Sequence, residues 1–148
     1  MTIRTEDYLN LRFQGAGRAR PFVDCWGLYR LIVGETTGIW LAEFAGVAEL
    51  KRTAGVVRNE QVGGGWRPVA PGAERALDLV LMRGILRDGS RVTAAPVHIG
   101  CVIGEGRMID IEEIGGVRLR AFRSTARVTA RPDVANRVVG LFRPGALA

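Results

Sequence analysis

Cys25 follows an acid and precedes an aromatic and a glycine at the head of the apolar run "PFVDCWGLYR", residues 21–30. Thiolates are the strong nucleophiles among side chains, and the first turn of a helix favours them through its dipole and its free backbone N–H groups. That placement points to a nucleophile. The competing reading is a small buried hydrophobe, the commoner fate of a cysteine. A cysteine nucleophile needs a base, and the only histidine is His98, inside "PVHIGCVIG", residues 96–104. If that run is a strand, Val97, Ile99, Cys101 and Ile103 share one face while His98, Gly100 and Val102 share the other. Cys101 then belongs to the core, and His98 faces away from the wholly apolar side. A lone histidine is commonly structural, but here the base requirement and the histidine support each other.

A third group should orient the imidazole. With "GEG", residues 104–106, as a three-residue hairpin loop, Ile103 faces Arg107, Val102 faces Met108 and Gly100 faces Asp110. Asp110 then lies diagonal to His98 on the same face, across the space left by Gly100. A two-residue loop at Glu105 and Gly106 would put Asp110 on the Cys101 face instead. In the bland reading Asp110 is a polar strand residue near an edge, with Glu112 and Glu113.

The elements that must position these residues follow from pattern. Thr5 is a candidate N-cap for a short helix over 5–13, broken by "QGAGRARP". A helix from Asp24 to about Gly34, with Leu28, Leu31 and Ile32 on one face, puts Cys25 in its first turn. A further helical stretch is expected within 42–60, where Phe44, Val47, Ala48 and Val57 keep a helical period. "VGGGWRPVAPG" reads as a loop, and its glycines precede Trp66 rather than the Lys of a phosphate-binding loop. Strand character follows from Ala76, Pro96, Arg107, Gly116 and Arg137. Helices first and antiparallel strands after them is the α+β pattern.

Composition narrows the class. A chain of 148 residues, 47% hydrophobic, is the size of one domain, and residues 1–148 are read as a single unit without repeat or linker. The net charge of +6 is carried by arginine, Lys51 being the only lysine, and forms no block. A nucleic-acid partner has little support beyond that charge, since no aromatics are patterned among the arginines. Two distant cysteines make no disulfide framework and, without neighbouring Cys or His, no structural zinc site; neither metal nor cofactor is expected. The charged start "MTIRTEDYLNLRFQG" is not a signal peptide, and no apolar run is long enough for membrane insertion.

These blocks resemble the NlpC/P60 family of cell-wall cysteine peptidases, its phage-tail branch in particular. "DCWGL" from Asp24 to Leu28 is similar to the family's nucleophile block, "LDLVLMR" around Asp78 to its GD-V-L strand, and "HIGCVIGEGRMID" to its HVGI-type strand and glycine turn. The closing "VVGLFRP" also looks like the end of such proteins. The resemblance implies a papain-like α+β fold with N-terminal helices packed on an antiparallel sheet. It further implies Cys25 as nucleophile and His98 as base, with Asp110 at the family's third polar position, often a second histidine. Phe13 lies near the family's usual tyrosine, so a tyrosine hydroxyl at the oxyanion is not implied here, while the Cys25 N–H can contribute to that pocket.

The function so implied is hydrolysis of peptidoglycan stem-peptide amide bonds through an acyl-enzyme on Cys25. Carriage in a phage or phage-like tail tip, with tail-hub proteins as partners, would bring an unexported enzyme to the host envelope. The alternative is a tail-tip component that keeps the fold and has lost activity.

Overall fold

The computed structural model describes residues 2–42 and 66–147, and of 85–88 and 91–97 the backbone only. The helical stretch expected within 42–60 falls almost wholly outside the described residues. The expected helix over 5–13 is a single 3-10 turn, Thr5–Asp7, and Thr5 is not its cap: Arg4 precedes the turn without a side-chain hydrogen bond. The chain then makes three two-residue strands, β1 (Arg12–Phe13), β2 (Arg18–Ala19) and β3 (Phe22–Val23), with β3 between the other two. Their brevity hides them from any periodicity.

Helix α1 spans Cys25–Thr37. It begins where Asp24, in extended conformation, turns its carboxylate onto the Gly27 N–H at 2.8 Å, satisfying one of the orphan donors of a helix start. It ends at Gly38, whose φ of 78° is the left-handed cap that glycine adopts without strain. Gly34 is therefore interior, one turn short of the end. Leu28, Leu31 and Ile32 are buried as the period requires, but Trp26, Tyr29 and Val33 are buried too. The reason is that α1 contacts the short strands β2 and β3 as well as strands of the large sheet.

Among the described residues that large sheet has six antiparallel strands: β4 (Trp66–Val69), β5 (Leu79–Asp88), β6 (Arg91–Gly104), β7 (Arg107–Glu112), β8 (Gly116–Ala121) and β9 (Val138–Pro144), in the order β4-β9-β5-β6-β7-β8. The stretch around Trp66, expected as loop, supplies the edge strand β4, paired Trp66↔Pro144 through Val69↔Leu141. Pro68 is tolerated there because an edge strand needs no ladder donor on its outer side. A four-residue helix, α2 (Pro132–Ala135), precedes β9.

Alternation sorts the sheet into two faces. Leu79, Leu81, Ile99, Cys101, Ile109 and Ile111 pack with α1 in one core. Val80, Met82, Val102 and Met108 face the other way and meet Phe122, Val134 and Leu141. At about 25 cal/mol per Å2 of apolar surface, each fully buried aliphatic side chain contributes about 1.5–3 kcal/mol, so both layers hold the strands in register. The fold is thus α+β, with α1 on one face of an antiparallel sheet. Among the described residues no helix is long and apolar enough to cross a membrane.

Candidate active site

The first residue of α1 is Cys25, as its pattern requires. The cap behind it is a buried ion pair: Arg18 Nη1 lies 2.6 Å from Asp24 Oδ1, while the Ala16 N–H donates to Oδ2 at 3.1 Å. Two close backbone approaches fix this corner. A Cβ on Gly27 would lie 2.1 Å from the Gly17 carbonyl oxygen, and one on Gly17 would lie 2.6 Å from that of Phe22. These two positions admit only glycine, because the obstructing atoms are backbone. Pattern reading did not single out Arg18, and nothing but its nearness to Asp24 in sequence could have suggested it.

The backbone N–H of Ile99, in the peptide that joins His98 to Ile99, faces the Cys25 sulfur and favours its thiolate. The cysteine therefore meets the histidine strand at the residue next to His98. It does so along the β6 backbone: Ile99 and Cys101 face α1, and the His98 side chain leaves from the other face. Just before His98 the pairing slips, Met82↔His98 being followed by Arg83↔Pro96, so Val97 is an extra residue. Such a bulge twists the strand locally and re-aims the neighbouring side chain.

The expectation that the helix start favours the thiolate is not met. Burial pushes the Cys25 thiol up to about 12 and the Asp24 carboxylate adds to this, while the Ile99 and Trp26 N–H groups and the Arg18 charge act the other way. Desolvation penalises the anion more than one helix end repays it. Cys25 is 6% exposed. Cys101, 1% exposed within the α1 core, is raised further still by burial, as its core role predicts.

His98 and Asp110 are brought together. His98 Nε2 and Asp110 Oδ2 are 2.7 Å apart, with both residues buried. Gly100↔Asp110 and Val102↔Met108 pair as the register argument required, but by a different route. The turn is the two-residue one at Glu105 and Gly106, and Gly104, not Ile103, pairs with Arg107; Ile103 is bulged out. The extra residue offsets the shorter loop, so Asp110 stays on the His98 face. The space over Gly100 is not open for this contact, since Met108 Sδ lies 2.6 Å from where its Cβ would be.

Around this pair lies a charged cluster that pattern reading missed. Asp110 accepts from Arg120 Nε through Oδ1 at 3.1 Å and from Arg120 Nη2 through Oδ2. Glu112 lies 3.5 Å from His98 Nε2 and is paired with Arg118 Nη2 at 2.8 Å and Arg137 Nη2 at 2.9 Å. Burial alone would push the Asp110 carboxyl up, but its hydrogen bonds and charge contacts with His98 and Arg120 hold it below the ordinary carboxylate value. Glu112 is held low in the same way by His98, Arg137 and Arg118 against its own burial. The register of β8 on β7 accounts for two of the arginines. β8 pairs with β7 as Met108↔Arg120 and Asp110↔Arg118, so alternation puts both guanidiniums on the Asp110 face.

His98, Asp110 and Glu112 offer ligand atoms within 4.8 Å of one another. They do not suit a cation. Arg118, Arg120 and Arg137 already occupy the two carboxylates, and three guanidiniums against two carboxylates leave a positive neighbourhood. Phe13 sits half-buried in β1, paired with Val23, and brings no hydroxyl.

No family model and no curated protein matches the sequence. Solved structures do match in fold. A lipoprotein-like protein of the NLP/P60 family from Staphylococcus aureus subsp. aureus Mu50 aligns over 93% of this chain and 38% of its own, with 16% identity and a TM-score of 0.57. NlpC2 from Trichomonas vaginalis aligns over 92% of this chain and 42% of its own, with 18% identity and a TM-score of 0.55. The chain thus spans about two fifths of the length of each. At these identities the likeness is one of architecture, and by it this chain has the α+β fold found in NlpC/P60 proteins.

Proposed function

We propose that the protein is a thiol peptidase acting on peptidoglycan stem peptides, with Cys25 as nucleophile and His98 as base. The observation that carries this reading is the Cys25 sulfur facing the Ile99 N–H, one residue from a histidine whose Nε2 is held by a buried carboxylate. With Nε2 engaged by Asp110, Nδ1 is the ring nitrogen left to take the thiol proton as sulfur attacks the scissile carbonyl, a step that requires the ring and the sulfur, set on opposite sides of β6, to come within hydrogen-bond reach. The tetrahedral oxyanion forms beside the N-terminus of α1, where the Cys25 N–H is a donor for it. His98 then returns the proton to the leaving amine, and water hydrolyses the thioester. Because burial holds the resting thiol neutral, proton transfer accompanies attack and no ion pair is stored beforehand. The fold shared with NlpC/P60 proteins supports the cell-wall substrate, and the resemblance of "DCWGL" and "HIGCVIGEGRMID" supports a phage-like tail tip as the carrier, with tail-hub proteins as partners.

A second reading has its own observation. A thiol pushed up to about 12 and almost wholly enclosed is poorly suited to turnover, which favours a tail component that keeps the fold without activity. Release of new amino groups from purified peptidoglycan by the protein, compared with Cys25→Ala, separates the two. Loss of release in Cys25→Ala supports the peptidase; release absent from the parent, or equal in both, ends it.

A further inference from the structure

We infer that Arg120 is a positioning residue of this site: its guanidinium fork fixes the rotation of the Asp110 carboxylate, and Asp110 in turn fixes the tautomer of His98. The inference rests on the peptidase reading for its consequence in catalysis, though not for its geometry. Asp110 is fully buried, and Arg120 is largely so. Arg120 grips both carboxylate oxygens, Nε at Oδ1 and Nη2 at Oδ2, and Oδ2 is also the atom facing His98 Nε2 at 2.7 Å. A two-point grip sets the plane of a carboxylate, which a single ammonium does not do.

The neighbours keep that grip specific. Arg118 Nη2 is 4.0 Å from Oδ2 and is committed to Glu112 at 2.8 Å, and Arg137 also pairs with Glu112, at 2.9 Å. Glu112 Oε1 competes for His98 Nε2 at 3.5 Å and for Arg120 Nη2 at 3.3 Å. Among the described residues, the groups facing His98 and Asp110 are therefore Glu112 from β7, Arg118 and Arg120 from β8, and Arg137 just before β9. Of these, Arg120 alone makes two hydrogen bonds to Asp110. With the carboxylate so held, the neutral form of the ring carries its proton on Nε2 and donates to Oδ2, and Nδ1 keeps its lone pair for the thiol. Released from Arg120, a buried carboxyl is pushed up by desolvation, and a protonated Asp110 accepts less well from Nε2.

His98 is the only histidine, so nitrogen-15 shifts of a histidine-labelled sample report this one ring. In its neutral form the parent's ring should give the signature of protonation at Nε2. Arg120→Met should give a mixture of tautomers and Arg120→Lys an intermediate one, both with native circular dichroism. If the parent hydrolyses peptidoglycan, Arg120→Met should lower kcat on the order of tenfold with KM little changed, and Arg120→Lys should recover part of the loss. A neutral ring protonated at Nδ1 in the parent, or an unchanged tautomer in folded Arg120→Met, overturns the inference even if hydrolysis is observed. A shifted tautomer in a protein that never hydrolyses upholds the positioning and removes the peptidase reading instead. If Arg120→Met does not fold, the same comparison made on Arg120→Lys decides.

Discussion

Asp110→Ala should be among the most destabilising single changes on the sheet, and the structure gives its size. The substitution removes an acceptor used by His98 at 2.7 Å and by Arg120 through both oxygens, in a position with no solvent to substitute. Taking one partner from a buried charged network costs about 3–5 kcal/mol, because the groups left behind stay desolvated and unpaired. Arg120 can turn further to Glu112, 3.3 Å away, so the lower end, about 3 kcal/mol, is expected here. For a chain of this length each kcal/mol moves Tm by about 2–4 °C, which gives a fall of roughly 6–12 °C at neutral pH. The pH dependence has a defined sign. The folded carboxyl lies below its ordinary value of 3.8, so the unfolded chain binds its proton first as pH falls. The contribution is full above that value and is lost as pH drops through the folded one. Thermal denaturation of parent and variant at pH 7, 5 and 3 tests this: the gap should hold between 7 and 5 and narrow towards 3. A Tm within 2 °C of the parent at pH 7, or a gap that does not narrow in acid, refutes the network as drawn.

The two thiols should label at different rates, both slowly. A thiol at about 12 against an ordinary 9.0 has roughly a thousandth of the usual thiolate, and Cys101 is raised further and is less exposed. Brief iodoacetamide treatment with mass spectrometry should find Cys25 modified before Cys101, and labelling first at Cys101 would reverse their roles. Gly27→Ala should destabilise by about 3 kcal/mol or more, since its Cβ meets backbone at 2.1 Å, whereas Gly15→Ala, with nothing within 4 Å, should change stability by less than about 0.5 kcal/mol. Equal midpoints in thermal melts of the two would mean that the corner behind Cys25 is not packed as described.

Much of the fold is legible because its strands and its helix carry strong local signals. Helix α1 announces itself by the Asp24 cap and by apolar spacing, and its one-turn extension past Gly34 was unreadable because a glycine in mid-helix looks like a stop. The strands β5 to β9 are long enough to alternate. What failed were elements whose stability is tertiary. β1, β2 and β3 have two residues each, and β4 is a glycine- and proline-flanked segment made into a strand by pairing with β9. No local propensity encodes such pairings.

The site divides along the same line. Cys25, His98 and Asp110 were legible because each is set by a short-range relation: a cap, an alternation and a hairpin. The hairpin is instructive, since the premise was wrong and the conclusion held. A two-residue turn alone would have carried Asp110 to the α1 face, and only the bulge at Ile103 returned it beside His98. Bulges leave little trace in sequence because one extra residue in a strand disturbs the pattern no more than a substitution does. The arginines were illegible for a different reason. They are scattered through the sequence, and which of them meets a buried carboxylate depends on a register between β7 and β8 that only the folded sheet supplies. The ionic state of the cysteine belongs to this second kind as well. Position at a helix start is local and predicts a favoured thiolate; enclosure between α1 and β6 is tertiary and wins, so a neutral, enclosed thiol is what the proposed chemistry must begin from.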